Sequence, residues 1–193
     1  EFNHNVRLVS PQDLKSEIGS DIYHGALIDE VSGGLNPAQY VVGLADAAEK
    51  AGAMLCARAR VHRLERRGKR FVVETERGVV EADSVLVATS GYTGNVTRKL
   101  QRKIIPIGSF IIATEKLSDE LVNELSPKNR MIFDYKHYLN YFRLWDNRMI
   151  FGGRAAFFPE TANTIKNSAE ILQREMTRSE ERRVGKECVV ECR

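Results

Sequence analysis

The stretch from Asp83 to Tyr92, Asp-Ser-Val-Leu-Val-Ala-Thr-Ser-Gly-Tyr, constrains this chain more than any other. Val85-Leu86-Val87-Ala88 is an unbroken apolar run with polar neighbours on both sides. A run of that length suits a strand buried on both faces of a parallel sheet. It ends in Thr89-Ser90-Gly91, small residues that let a phosphate or ribose approach bare backbone at the carboxyl end of a strand. The preceding segment supports that placement. Arg58–Leu64, Phe71–Glu76 and Val79–Ala82 read as strands, joined by turns at Arg67-Gly68 and Arg77-Gly78.

Taken in order, the spacing predicts a weak helix over Val6–Ile18, with Ser10-Pro11 at its start. A strand over Tyr23–Ile28 and a glycine-bearing loop from Asp29 to Leu35 follow; His24 reads as a strand-face residue. Asn36-Pro37-Ala38-Gln39 is the clearest local signal: a cap, a proline in the first turn and a capping-box partner. Tyr40, Val41, Leu44, Ala47, Ala48 and Ala51 give that helix an apolar face suited to packing on a sheet, and Gly52 ends it. Ala53–Cys56 leads as a strand into the three-stranded meander. Thr97–Lys103 is a basic connector. Ile104–Thr114 reads as a long strand with a bulge or edge at Pro106. Leu117–Leu125 reads as a short helix. Met131–Asp134, Tyr138–Leu144 and Met149–Phe151 read as antiparallel strands with a turn at Asp146-Asn147-Arg148, and Thr161–Met176 as a last helix.

Composition narrows the function classes. Hydrophobic content of 42% with 28% charged residues describes a soluble globular protein, and no run approaches the length of a membrane span. The net charge of +3 is spread among interspersed acids, which leaves no electrostatic footprint for nucleic acid. Three cysteines, with Cys56 alone, argue for a reducing compartment, and a cytoplasmic setting is expected. No metal-ligand spacing is convincing. The chain opens at Glu1 in mid-pattern, and residues 178–193 change register from what precedes them. That ending resembles read-through of sequencing DNA, in which case Cys188-x-x-x-Cys192 has no metal-binding meaning. An internal fragment is expected.

Five stretches in order carry a family resemblance: Gly33-Gly34-Leu35-Asn36-Pro37, Ala88-Thr89-Ser90-Gly91-Tyr92, Ile105-Pro106-Ile107-Gly108-Ser109, Tyr141-Phe142-Arg143 and Phe151-Gly152-Gly153-Arg154. The chain resembles the middle of FAD-dependent amine and amino-acid oxidases of the D-amino-acid-oxidase/glycine-oxidase superfamily, over roughly Asp13 to Pro159. Within it, the gamma-glutamylputrescine oxidoreductases are most similar. The meander and Ala88–Tyr92 resemble the second FAD-contacting element of such flavoproteins. The strand–GxGxxG–helix unit that holds the FAD pyrophosphate has no counterpart in these residues. The expected fold class is α/β, an α+β composite: part of an FAD-binding domain plus an antiparallel-sheet substrate domain. The expected division is 1–52 a substrate-domain segment and connecting helix, 53–95 partial FAD domain, 96–177 substrate domain, and 178–193 a non-native tail.

The resemblance implies an amine substrate, favoured as gamma-glutamylputrescine, oxidised by hydride transfer to FAD. It places a carboxylate-binding arginine at Arg143, because a planar guanidinium binds that group bidentately; a surface arginine on an edge strand is the plainer reading. Tyr141 and Arg154 are further substrate-binding candidates. Val61, Ala88, Thr89 and Gly91 are implied flavin contacts through backbone, while Tyr92 suits the core equally. No catalytic side chain is assigned, and His62, His137 and Cys56 receive no role. Two alternatives stand beside the oxidase: a flavin-dependent dehydrogenase that passes electrons to a carrier, and a non-catalytic β-rich binding module. Neither a nucleic-acid nor a membrane partner is expected, and oligomeric state is open.

Overall fold

The computed structural model describes residues 4–136, 139–156 and 161–179, with backbone alone at 154–156 and 178–179. The described residues fall into two compact units: 1–34 together with 107–193, and 35–106. Mixed helix and antiparallel sheet make up both, in keeping with the composite expected from the sequence.

The first unit is built on a four-stranded antiparallel sheet in the order β6-β9-β8-β7. Its strands are β6 (Gly108–Ala113), β7 (Ile132–Phe133), β8 (Tyr141–Trp145) and β9 (Arg148–Ala156). A two-residue turn joins β8 to β9, with Trp145 paired to Arg148 and Asp146 and Asn147 both at positive φ, 50° and 56°. Positive φ at both central residues is the type I′ geometry whose twist matches the flanking strands, and Asp and Asn tolerate it. The turn is the one expected at Asp146-Asn147. It fixes a register in which Phe142, Leu144, Met149 and Phe151 point to one face, all buried. Phe142 and Phe151 stack at 5.5 Å between centroids, and Phe110 and Ile112 of β6 extend that core. Helix α4 (Ala162–Ser179) covers it with Ala169, Leu172 and Met176 at helical spacing. Helix α3 (Asp119–Leu125) is capped by Ser118 Oγ, which accepts from the Leu121 amide, and adds Leu125.

Val6–Val9 is the first departure from expectation. It forms strand β1, paired with β2 (Ala26–Asp29), and only a 3-10 turn at Leu14–Ser16 is helical. Pairing across the hairpin outweighs the weak helical spacing, because it puts Val9 and Ile28 into the core and aims Arg7 at Glu17. Glu17 is buried and accepts from Arg7 at 2.8 Å, Lys128 at 2.7 Å and Arg130 at 2.7 Å. One carboxylate thus ties β1 to the segment that enters β7. Strand β6 is also shorter than the predicted Ile104–Thr114, because Pro106 lacks the donor a ladder needs.

The second unit holds helix α1 (Pro37–Lys50) and the meander β3-β4-β5. Asn36 Oδ1 accepts from the Ala38 and Gln39 amides, and Gly52 sits past the end at φ +93°, so both helix signals act as read. The apolar face does not pack as expected. Tyr40, Val41 and Leu44 are all more than half exposed, and no α1 residue is buried. The meander is β3 (Val61–Arg67), β4 (Arg70–Thr75) and β5 (Gly78–Ala82), close to the predicted segments. Residues 53–56 form no strand, nor do Val85–Ala88, and Leu86 is 91% exposed. A parallel strand exists only through neighbours that supply its ladder. No described strand forms a ladder with this run.

Burial alone would raise the Glu17 carboxyl, but the three charged donors outweigh it and hold it at about 2. A depressed carboxyl contributes stability that is complete above the unfolded-state value and fades as pH falls toward the folded one. We expect stability to decline as pH drops from about 5 to about 2. Glu17→Gln should flatten that decline and lower stability near neutral pH by on the order of 2–3 kcal/mol, an upper figure because Arg7 and Lys128 are half exposed. Urea unfolding of both proteins across that range measures it.

Candidate functional site

The register that buries Phe142 and Leu144 turns Tyr141, Arg143 and Trp145 to the opposite face. Their cross-strand partners on that face are Gly152, Ile150 and Arg148. Strand β6 brings Ile111 opposite Gly152 and Ala113 opposite Ile150, and β7 brings Phe133 opposite Tyr141. Ile111 is 42% and Phe133 76% exposed, while Tyr141 and Arg143 are half-buried. One side of the sheet is therefore packed under α4, and the other is an open, largely apolar floor that carries Tyr141, Arg143 and, at the hairpin end, Arg148, which donates to the Thr114 carbonyl. Such a floor can seat an apolar or planar group while Arg143 engages an anion.

Tyr141 is held in place. Its hydroxyl lies 2.9 Å from Ser109 Oγ, and Ser109 Oγ donates to the Gly153 carbonyl at 3.5 Å, the long limit for such a bond. The ring passes so close to Gly152 that a Cβ there would collide with its Cε2, Cζ and Oη atoms. Glycine is thus required at 152 for room. A register shift between Ser109 and Phe110, opposite Gly153 and Ala155, turns Ser109 toward Tyr141. Sequence reading singled out Tyr141 and the close approach at Gly152-Gly153, but gave Ser109 no role. Its signal was the alternation Ser109, Ile111, Ala113 against buried Phe110, Ile112 and Thr114. Arg154 lies on β9 in backbone, and its side chain is outside the described residues.

The residues read as flavin contacts lie in the second unit. Val61 opens β3, an edge strand whose outer side has no ladder partner among the described residues. Its register with β4 shifts between Val61 and Arg63. Ala88 and Thr89 are exposed, and the chain bends into a 3-10 turn, Ser90–Tyr92, with Ser90 at φ 45°. Left-handed backbone at a non-glycine residue costs energy and tends to mark ligand loops. The Thr89 and Thr93 hydroxyls meet at 2.7 Å, and Thr93 Oγ1 donates to the Ser90 carbonyl at 2.7 Å, so the bend is braced from within. A Cβ at Gly91 would meet only Pro106, at ordinary contact. The turn Asn95–Thr97 that follows packs beside β3. Exposed main chain at 85–89, an open Gly91 and an unpaired β3 edge fit an extended ligand held through backbone groups. Tyr92 is 96% exposed, so the core reading of it fails.

Elsewhere, Asp29 is held well below the usual carboxylate range, chiefly by the Ser32 hydroxyl and then by His4. This brace belongs to the loop after β2. Among the described residues no group of three His, Cys, Asp or Glu side chains is arranged to hold a metal ion. No helix among them is long and apolar enough to cross a membrane. Cys56 is a free, exposed thiol.

Residues 1–185 match the DAO family, described as FAD dependent oxidoreductase. The chain is 34% identical over 157 residues to gamma-glutamylputrescine oxidoreductase of Escherichia coli K12, covering 80% of this chain and 37% of that protein. It is 34% identical over 173 residues to the probable oxidoreductase OrdL of Rhizobium meliloti, covering 89% of this chain and 39% of the relative. The crystal structure of glycine oxidase from Geobacillus kaustophilus superposes with a TM-score of 0.75 at 15% identity, over 98% of this chain and 50% of that one. The fold is shared. The chain spans less than two fifths of the length of the two sequence relatives.

The close approach of Tyr141 to Gly152 leaves no space for a side chain at 152. Gly152→Ala should displace the ring and cost roughly 1–3 kcal/mol, the usual penalty for overpacking. Gly43→Ala, where a Cβ meets nothing within 4 Å on helix α1, should instead stabilise by about 0.5–1 kcal/mol. Denaturant unfolding of both variants, with near-ultraviolet circular dichroism reporting the tyrosine environment, separates the two outcomes.

Proposed function

The chain belongs to the DAO family of FAD-dependent oxidoreductases, and on that premise we propose that it forms the substrate-side sheet and part of the cofactor cradle of an amine or amino-acid oxidoreductase. The observation that supports this best is the open face of β6-β9-β8-β7, where Arg143 and Tyr141 rise from a floor of Ile111, Ile150 and Gly152. Arg143 would bind a substrate carboxylate, and Tyr141 would orient the amine end. The apolar floor would exclude water from the carbon to be oxidised and strengthen the ion pair. Ala88, Thr89, Gly91 and Val61 would hold the cofactor through main-chain groups, and Arg154 would lend charge to an anionic group. When bound, the flavin supplies the two-electron acceptor.

The substrate is proposed as gamma-glutamylputrescine, which rests on the 34% identity to the E. coli enzyme of that name. Arg143 supports the carboxylate of such a molecule and does not single it out. A cytoplasmic setting suits Cys56, an exposed thiol. The activity would reside in a longer protein, because these 193 residues carry no GxGxxG unit to hold the pyrophosphate.

Two measurements check this. The 193-residue chain, purified alone, should not retain FAD in stoichiometric amount, whereas protein expressed from the full gene should be yellow; tight flavin retention by the short chain overturns the claim that a longer protein is needed to hold the cofactor. In the FAD-loaded protein, Arg143→Leu should raise KM for a carboxylate-bearing amine roughly 10- to 100-fold, the scale of a hydrogen-bonded ion pair. An unchanged KM would remove Arg143 from the site.

A further inference from the structure

We infer that Ser109 is a positioning residue that sets the direction of the Tyr141 hydroxyl, so that Tyr141 presents an acceptor to the substrate and recognises a group bearing N–H. The inference deepens the proposed function and rests on its placing of the substrate on this sheet face.

Two hydroxyl protons are shared among three oxygen atoms: Tyr141 Oη, Ser109 Oγ and the Gly153 carbonyl. The Gly153 carbonyl carries no proton and can only accept. Ser109 Oγ has one proton and lies within reach of that carbonyl, at 3.5 Å. With its proton directed there, Ser109 can meet Tyr141 at 2.9 Å only as an acceptor, so the phenol proton points at Ser109. What the phenol then offers outward is a lone pair. Close contact with Gly152 keeps the ring from moving toward the sheet and holds the hydroxyl beside Ser109. Arg143 stands two residues along the same strand face, about 7 Å away in the pleat. The pair forms a site with two ends of opposite character: a donor fork that takes an anion and an oxygen that takes an amine proton. The ligand class this fits carries a carboxylate and an amine separated by a few bonds. Loss of the serine would free the phenol to rotate its proton outward, and the preference for N–H would weaken without any change at Arg143.

The test uses the FAD-loaded protein from the full gene, with Ser109→Ala, Ser109→Thr, Tyr141→Phe, Arg143→Leu and the Ser109→Ala/Tyr141→Phe double variant. Two readouts are compared. One is KM and kcat for an amino-acid substrate. The other is the dissociation constant of propionate, a carboxylate without an amine, followed by perturbation of the flavin absorbance. Ser109→Ala and Tyr141→Phe should each raise KM roughly 2- to 10-fold, the worth of one neutral hydrogen bond, with kcat nearly unchanged. The double variant should be no worse than Tyr141→Phe alone, and Ser109→Thr should restore the parent value. Propionate binding should be unaffected in all of these and lost only with Arg143→Leu. A wild-type KM in Ser109→Ala, additive effects in the double variant, or weakened propionate binding in Ser109→Ala would each overturn the inference. Failure of Arg143→Leu to weaken propionate binding would instead overturn the siting of the substrate, which keeps the two failures distinct.

Discussion

The pairing of β8 with β9 across Asp146-Asn147 governs what the rest of this molecule can do. A strand alternates its side chains with a period of two, so a slip by one residue would carry Arg143 and Tyr141 into the core and expel Phe142 and Leu144. Several independent contacts oppose that slip. The turn accepts only residues that tolerate positive φ, and Asp146 and Asn147 do. Phe142 stacks on Phe151. The Met149 amide donates to the buried hydroxyl of Thr114, and Arg148 donates to the Thr114 carbonyl, which ties the hairpin to the end of β6. The proposed site is thus a by-product of core packing: once one face is filled with apolar side chains, the other face is specified residue by residue.

How legible each part was in the sequence follows from how local its causes are. The start of α1 was readable because Asn36, Pro37 and the two amides it caps lie within four residues. The meander and the β8–β9 turn were readable for the same reason, since each rests on adjacent residues and short turns. Val6–Val9 was misread because its reason for being a strand lies elsewhere, in Ala26–Asp29 and in a carboxylate at Glu17 that also collects Lys128 and Arg130 from more than a hundred residues away. Ser109 was passed over for a related reason. The alternation along β6 places Ser109 on the open face, but nothing in its neighbours announces Tyr141, 32 positions on, which reaches it through the pairing of β6 with β9 and of β9 with β8.

Val85–Ala88 is the instructive departure, because its composition is that of an interior strand while its surroundings are open. The same holds for α1, whose Tyr40, Val41 and Leu44 are exposed although the helix is well capped. A helix of fourteen residues is marginal in water without tertiary packing. Capping by Asn36 contributes about 1 kcal/mol, less than burial of a single leucine gives. Both features are therefore written for a cover. Strands beside 85–88 would give its amides and carbonyls a ladder, and a sheet face over α1 would remove its apolar stripe from water.

The two units differ in how far each satisfies its own surface. The first unit closes on itself: its sheet has a filled core under α4, and its carboxylate Glu17 is met by three cations. Its remaining open face carries Arg143 and a Tyr141 braced by Ser109. Among the described residues, the second unit leaves the apolar side chains of α1 and of 85–86 exposed and the outer edge of β3 without a ladder partner, and its backbone bends through Ser90 beside an open Gly91. An edge that exposes both apolar side chains and unpaired peptide groups is poorly matched to water and well matched to more protein and an extended cofactor. The two kinds of open surface thus call for different partners. On the proposed reading, the first unit's face takes a small charged ligand, and the second unit's edge takes further strands and a nucleotide-like group.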